Sequence, residues 1–151
     1  MQLIFHGHAC FEFCGKDEPT VLIDPYRPNA LNGRFSLPSI EAQPDIVALT
    51  HYHEDHAWVL DAWRDVPVAD HSGDFGGIPF VGVPAYHDRS LGTRMGLVTM
   101  LRFQWGGLDI VHLGDLGVEL TAKQQDILHT PDVLLLPVGG TYTLGPEEAL
   151  E

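Results

Sequence analysis

Three histidines and an aspartate lie within the six residues His51–His56, in the pattern HxHxDH. Imidazole nitrogens bind zinc, iron and manganese, and a carboxylate adds an oxygen ligand that neutralises part of the metal's charge. His51 and His53 are two residues apart, so they share one side of an extended segment. The chain must then turn to direct Asp55 and His56, and this division of the ligands suits two adjacent metal ions.

The apolar run at residues 45–49 predicts a buried strand that ends where the histidines begin. Loops at strand ends are positions where a rigid scaffold holds ligands. A solvated histidine cluster without function is the alternative interpretation. Four potential ligands directly after a buried strand favour the metal site.

The rest of the chain predicts a sheet-rich α/β layered fold in one domain, residues 1–151. Strands are predicted over residues 2–6, 10–14 and 20–24, as an antiparallel meander, and then over 66–69, 78–85, 97–105, 108–113 and 133–138. Gly106 and Gly107 indicate a hairpin turn. Pro79 and Pro84 place their strand at a sheet edge or in irregular structure.

Two short helices and one long loop complete the predicted elements. The helices are expected over residues 57–64 and 121–128, the second with Thr121 or a neighbour as its N-cap. Residues 25–44 are rich in Pro, Asn, Gly and Ser and predict a long loop, with a functional role and a plain surface excursion both open.

Composition excludes several classes of function. A net charge of −13 argues against a nucleic-acid-binding surface, which needs basic patches. No apolar run is long enough to span a membrane, and the N-terminus lacks a basic region before its apolar stretch, so we expect a cytoplasmic protein. Cys10 and Cys14 lie four residues apart in one predicted strand, too far from each other for a disulfide.

Further motifs accompany the histidine segment in a defined order. They are residues 84–88 (PAYHD), 112–117 (HLGDLG) and 132–143 (DVLLLPVGGTYT), with 7–9 (GHA) and 23–26 (IDPY) near the start. In content and order they resemble the metallo-β-lactamase superfamily. Within it they resemble the bacterial metal-dependent hydrolases that include ascorbate-phosphate lactonase and, more distantly, N-acyl-phosphatidylethanolamine phospholipase D.

This resemblance covers nearly the whole chain and implies an αββα sandwich. It implies that His51, His53 and His87 form a three-histidine site, that Asp55 and His56 begin a second site, and that Asp115 bridges the two. We expect zinc, with manganese or iron also compatible with these ligands.

Three further residues are expected to support the ligands. His8 and Asp24 match family motif positions at the ends of the opening strands, where hydrogen bonds to the ligands are expected. His112 alternates with apolar neighbours and points into a layer of the fold, where ligand support and core packing are both open.

The resemblance also implies that the fold is truncated at its C-terminus. Members of the superfamily continue for several dozen residues, and this tail supplies the last histidine of the second metal. A fragment of a longer protein, a naturally short chain that completes its site with a partner, and an inactive relative all remain open.

The expected activity is hydrolysis. A metal-bound hydroxide, oriented by Asp55, would attack a small ester, lactone or phosphodiester. The alternative is a non-catalytic metal-binding or assembly module, or an inactive fragment.

Residues 133–138 are apolar on both faces and predict a buried strand. Because the absent tail would supply part of its cover, we expect this short chain to expose an apolar patch and to form a homo-oligomer, most simply a dimer.

Overall fold

Two five-stranded mixed sheets form the frame of the computed structural model, which describes residues 1–33 and 35–151. The strands of the first sheet are β1 (Gln2–Gly7), β2 (Cys10–Cys14), β3 (Val21–Ile23), β4 (Ile46–Ala48) and β5 (Val68–Ala69), in that order. The strands of the second sheet are β6 (Gly73–Phe75), β7 (Ile78–Tyr86), β8 (Leu97–Trp105), β9 (Leu108–His112) and β10 (Val133–Leu135). Their order across the second sheet is β10-β9-β8-β7-β6.

The predicted antiparallel meander is confirmed, because β1 pairs with β2 and β2 with β3 in antiparallel register. The next two junctions, β3 with β4 and β4 with β5, are parallel. Parallel neighbours end at the same edge of a sheet, so the residues that follow β3 and β4 are brought side by side. Cys10 and Cys14 on β2 are both free thiols, as their spacing predicts.

Apolar side chains of the two facing sheets interlock to form the central core. Phe13 of β2 packs edge-on against Phe103 of β8, with ring centroids 5.7 Å apart. Phe103 in turn stacks on Phe80 of β7 at 4.7 Å. The indole N–H of the buried Trp105 donates to Pro19 O at 2.7 Å and anchors the hairpin to the first sheet. Gly106 and Gly107 turn this hairpin with positive φ values, as predicted.

The outer faces of both sheets are covered mainly by loops. The helix Ala122–Leu128 packs Leu128 against the second sheet, and Thr121 closes its N-terminus with a capping box to Gln124, as predicted. Within the loop at residues 25–44, Tyr26 and Ile40 pack against the first sheet. The layered fold is therefore confirmed, with thin outer layers. None of the helices in the described part of the chain is long and apolar enough to cross a membrane.

The helix predicted over residues 57–64 is wrong. Only a single 3-10 turn forms, Asp61–Trp63, and the backbone N–H of Trp58 donates to Pro25 O instead of entering a helical ladder. The segment is short, and Trp58 and Val59 have only moderate helix propensity. Burying its apolar side chains against the first sheet stabilises the segment more than helical hydrogen bonds would.

Two strand predictions are also corrected. Strand β7 runs unbroken through Pro79 and Pro84 and lies second from the edge of its sheet. Pro84 is tolerated because β6 pairs only with Ile78–Phe80, so no strand lies against Pro84 on that side. Strand β10 ends at Leu135, forms the sheet edge, and buries none of its three residues fully.

Candidate metal centre

Five strands bring the predicted ligands and two of the residues expected to support them to one end of the sandwich. His8 follows β1, Asp24 follows β3, and the HxHxDH segment follows β4. From the second sheet, His87 follows β7 and Asp115 follows β9. The backbone N–H of Thr99 on β8 donates to Thr50 O at 2.7 Å, which links the two sheets directly beneath this end.

The first group of potential ligands is His51, His53 and His87. One ring nitrogen from each lies within 4.8 Å of the others. His51 and His87 are buried, whereas His53 is partly exposed and faces the opening. Ring centroids of His51 and His53 are 4.6 Å apart, and those of His51 and His87 are 4.9 Å apart. The structure therefore brings together the three histidines that the resemblance implied.

Two nitrogens of this group have no partner among the described residues. The Nε2 atoms of His51 and His87 are buried and make no hydrogen bond. His87 Nε2 does lie 3.3 Å from Asp115 Oδ2 but without hydrogen-bond geometry. A buried, unsatisfied nitrogen costs free energy, and coordination of a metal ion would remove that cost. The donor set thus fits a metal of the zinc, iron or manganese type.

A second group forms around His56. Its Nε2 atom lies 2.9 Å from His8 Nε2, 3.4 Å from Asp115 Oδ2 and 3.9 Å from Asp55 Oδ2. The ring centroids of His51 and His56 are only 4.2 Å apart, so the two groups are adjacent. Asp115 contacts both His56 and His87, which is the position that a bridging carboxylate requires.

Asp24 fixes the orientation of His56 from the opposite side. Its buried carboxylate accepts the backbone N–H of Thr50 at 2.7 Å and the Thr50 hydroxyl at 2.6 Å. The same carboxylate lies 3.1 Å from His56 Nδ1. An Nδ1–H donated to Asp24 leaves Nε2 of His56 for the cluster. Asp24 therefore contacts one of the predicted ligands, His56.

His112 supports the cluster indirectly. Its Nδ1 accepts the backbone N–H of Gly114 at 2.8 Å, and its Nε2 contacts Ala9 O at 3.3 Å. Because Nδ1 accepts this N–H, the ring proton lies on Nε2, and burial lowers the pKa of His112. His112 therefore shapes the turn that carries Asp115 and also packs against Phe11 in the core, so both open interpretations of this residue have a basis.

The pKa values of two neighbouring histidines in the centre shift in opposite directions. Burial, with the charge on His56 adding to it, lowers the pKa of His51 to about 3. Burial also opposes a charge on His56, but hydrogen bonds to Asp115 and Asp24 outweigh it and raise the pKa of His56 to about 10. The same contacts with His56 hold the pKa of Asp115 below its ordinary range, although burial would raise it. The pKa of His56, which lies between carboxylates, therefore shifts in the opposite direction to that of His51.

An open cavity of about 490 Å³ lies in front of the ligands. His53, Asp55, His87 and Asp115 form its floor, and its walls include Met95 and Tyr142. Asp88 holds the loop after His87, because its carboxylate accepts the backbone N–H groups of Ser90, Arg94 and Met95. These backbone donors lower the pKa of Asp88, and the N–H of Met95 contributes most.

Other chemistry-bearing residues lie outside the cluster. Arg89 pairs with Glu148 at 2.6 Å. His6 pairs with Glu12 at 2.7 Å, and the mostly exposed His71 contacts Asp70. His8, which the sequence analysis expected to contact the ligands, approaches the ring of His56. Its only signal was the Gly-His-Ala motif, which does not reveal which way the histidine points.

Comparison with known proteins identifies the family of this chain. Residues 2–151 match the family model described as the beta-lactamase superfamily domain. A UPF0173 metal-dependent hydrolase of Methanoculleus marisnigri is 31% identical over 175 residues, covering 99% of this chain and 74% of the relative.

Solved structures show the same likeness. A candidate Zn-dependent hydrolase of the metallo-β-lactamase superfamily from Thermotoga maritima is 31% identical with a TM-score of 0.71, over 98% of this chain and 66% of its own. Igni18, a metallo hydrolase from Ignicoccus hospitalis, is 26% identical with a TM-score of 0.63, over 98% of this chain and 75% of its own. The chain thus spans two thirds to three quarters of the length of these relatives. It belongs to the UPF0173 metal-dependent hydrolases of the beta-lactamase superfamily.

Proposed function

We propose that this chain is a hydrolase that binds two divalent metal ions at the joint end of its sheets. The observation that carries this proposal is the pair of buried, unpartnered Nε2 atoms of His51 and His87 beside His53. The ligands of the first ion are these three histidines. Asp55 and His56 belong to the second ion, and Asp115 lies between the two.

A bound metal pair supplies Lewis acidity, which polarises a substrate oxygen and lowers the pKa of water. The protein residues do the positioning. Asp24 holds His56 by its Nδ1 atom, so that ring cannot rotate away from the centre. Asp55 lies on the floor of the cavity, where its carboxylate can accept a proton from the attacking water and direct its lone pair at the substrate.

The lining of the cavity favours an uncharged ester or lactone over a phosphodiester. The cavity is lined by three carboxylates, those of Glu54, Asp55 and Asp115. Arg89, the arginine that follows His87 most closely, is held by Glu148. Bound cations would offset the charge of these carboxylates, but an anionic phosphodiester would find no basic side chain among the lining residues, which an uncharged ester does not need.

Zinc is the proposed metal, because the first group consists of three imidazoles and leaves a further position for water. Manganese and iron are the alternatives, since imidazole and carboxylate ligands also serve them. The name of the Thermotoga relative as a candidate Zn-dependent hydrolase supports the first choice.

A two-fold dimer is the proposed assembly. The open edge at β10 exposes Leu134 and Val138, which are 46% and 56% exposed. Phe5 on the edge strand of the other sheet is 61% exposed. Phe5 and Val138 line one cavity, so the apolar surface is continuous between the two sheets. A second copy of the chain would cover it.

Substitution of His53 tests the activity. His53→Ala removes one ligand from the first group, so it should lose at least half of the bound metal and nearly all hydrolysis of a chromogenic lactone. His71→Ala is the control, because it removes an exposed histidine outside the cluster. It should match the unmodified protein in metal content and in lactone hydrolysis.

A chromogenic phosphodiester assayed in parallel tests the substrate class, and the lactone should be turned over faster. Turnover by His53→Ala at the unmodified rate would contradict the hydrolase assignment. Metal uptake without turnover of either ester would instead favour the non-catalytic metal-binding or assembly module.

A further inference from the structure

His8 occupies a backbone conformation that directs its ring into the centre. The register between β1 and β2 shifts between Phe5 and Gly7, and Gly7 then pairs with Cys10. Directly after this irregularity, His8 has a φ of 57°, in the left-handed region that few non-glycine residues adopt. Such conformations persist only where surrounding structure holds them, and they concentrate at functional sites.

The contacts of His8 belong to the second ligand group. Its Nε2 atom lies 2.9 Å from His56 Nε2 and 3.2 Å from Asp55 Oδ2. One ligand atom from each of His8, Asp55 and His56 lies within 4.8 Å of the others. The ring also rests edge-on against Phe35, with centroids 4.8 Å apart, which limits its freedom to leave.

Two imidazole nitrogens and two carboxylates converge at this point. Because Nδ1 of His56 faces Asp24, only Nε2 of that ring is available to the cluster. His8 Nε2, Asp55 Oδ2 and Asp115 Oδ2 all lie within 3.9 Å of this atom. A hydrogen atom is directed at one acceptor, whereas a divalent cation can coordinate several converging lone pairs simultaneously.

We propose that His8 is a direct ligand of the second metal ion, together with Asp55, His56 and the bridging Asp115. This inference rests on the proposed dinuclear function and goes beyond it, because it assigns a further ligand from the segment that follows β1. The ligand-supporting role expected of His8 from sequence is thereby replaced by direct coordination. The second site would then be held by two imidazoles and two carboxylates.

The number of metal ions per chain tests the proposal. Metal-free protein is dialysed against excess zinc, then against buffer, and its zinc content is measured by mass spectrometry. The unmodified chain should retain two zinc ions, and His8→Ala should retain one, held by His51, His53 and His87. His6→Ala is the matched control, because His6 lies two residues away and pairs with Glu12 outside the centre, and it should retain two.

A second measurement uses the unmodified protein and does not depend on the folding of a variant. Long-range 1H–15N spectra follow each assigned imidazole nitrogen during a zinc titration. The His8 Nε2 resonance should move to the range of metal-bound nitrogen with the second equivalent.

The outcomes separate this proposal from the proposed function. Two zinc ions in His8→Ala, or an unchanged His8 resonance at two equivalents, would overturn the role of His8 alone. A single zinc ion in the unmodified chain would overturn both the role of His8 and the two-metal form of the proposed function, and hydrolysis would then have to proceed at one metal ion. No bound zinc at all would overturn both.

Discussion

At the scale of residues, the centre depends on groups that do not themselves face the cavity. The Asp24 carboxylate accepts two hydrogen bonds from Thr50 and contacts Nδ1 of His56. It therefore links the end of β3 to both ends of the histidine segment. Asp24 also has a positive φ of 44°, an uncommon conformation for a residue with a side chain. Contacts of this kind set which ring nitrogen carries the proton and raise the basicity of the other.

Replacing Asp24 by Asn should weaken metal binding by about 10- to 100-fold. The amide keeps the size of the side chain but cannot present two acceptor oxygens to Thr50 and His56 together. Zinc affinity is measured by competition with a chromophoric chelator. Asp45→Asn is the matched control, because the exposed Asp45 accepts only the backbone N–H of Thr20. Equal affinities in the two variants would show that Asp24 does not position His56.

At the scale of elements, the turns after the strands decide where the ligands lie. Gly117 N donates to Tyr86 O, which joins the turn after β9 to the end of β7. A Cβ added at Gly117 would lie 2.4 Å from His87 O and 2.7 Å from Asp88 Cα, both of them backbone atoms. The absence of a side chain at this position therefore allows His87 and Asp115 to approach each other.

Gly117→Ala should displace His87, destabilise the fold by about 1–3 kcal/mol and weaken metal binding. Gly145→Ala is the matched control, because its added Cβ would meet only ordinary contacts, the nearest at 3.5 Å. Urea denaturation of both metal-free variants gives the comparison. If Gly117→Ala unfolds at the same midpoint as Gly145→Ala, the close packing of these two turns is not what holds His87.

At the scale of the whole molecule, the fold places five strand ends together and leaves one apolar edge open. Strand β9 is covered on both sides, whereas β10 has a neighbour on one side only. The exposed Leu134 and Val138 on and after β10 agree with the predicted apolar patch. Such an edge invites pairing with another chain.

The chain should therefore sediment as a dimer in analytical ultracentrifugation at micromolar concentrations. Leu134→Lys places a charge on the open edge and should shift the equilibrium to monomer. Leu97→Lys is the control, because Leu97 is also exposed but lies on β8, two strands away from β10. A monomer at high concentration, or equal effects of the two substitutions, would contradict this assembly.

The sequence predicted most of this architecture, because local signals determine most of it. The meander, the Gly106-Gly107 hairpin and the Thr121-capped helix follow from strand alternation, turn residues and capping chemistry. The six predicted ligands also lie together, since their motifs end strands that the fold aligns.

The errors concern features that tertiary packing decides. Residues 57–64 form only the 3-10 turn at Asp61–Trp63, because their apolar side chains pack against the first sheet. Strand β10 is not fully buried, because within the described part of the chain it is the edge strand of its sheet. The left-handed backbone of His8 directly follows a register shift between β1 and β2, and no local sequence pattern predicts that shift.

The central claim is tested most directly by a calorimetric titration of the metal-free chain with zinc, combined with a hydrolysis assay. The account predicts two bound zinc ions per chain, and lactone hydrolysis that a chelator abolishes and added zinc restores. A chain that binds no zinc, or whose hydrolysis persists unchanged in the presence of chelator, would contradict it.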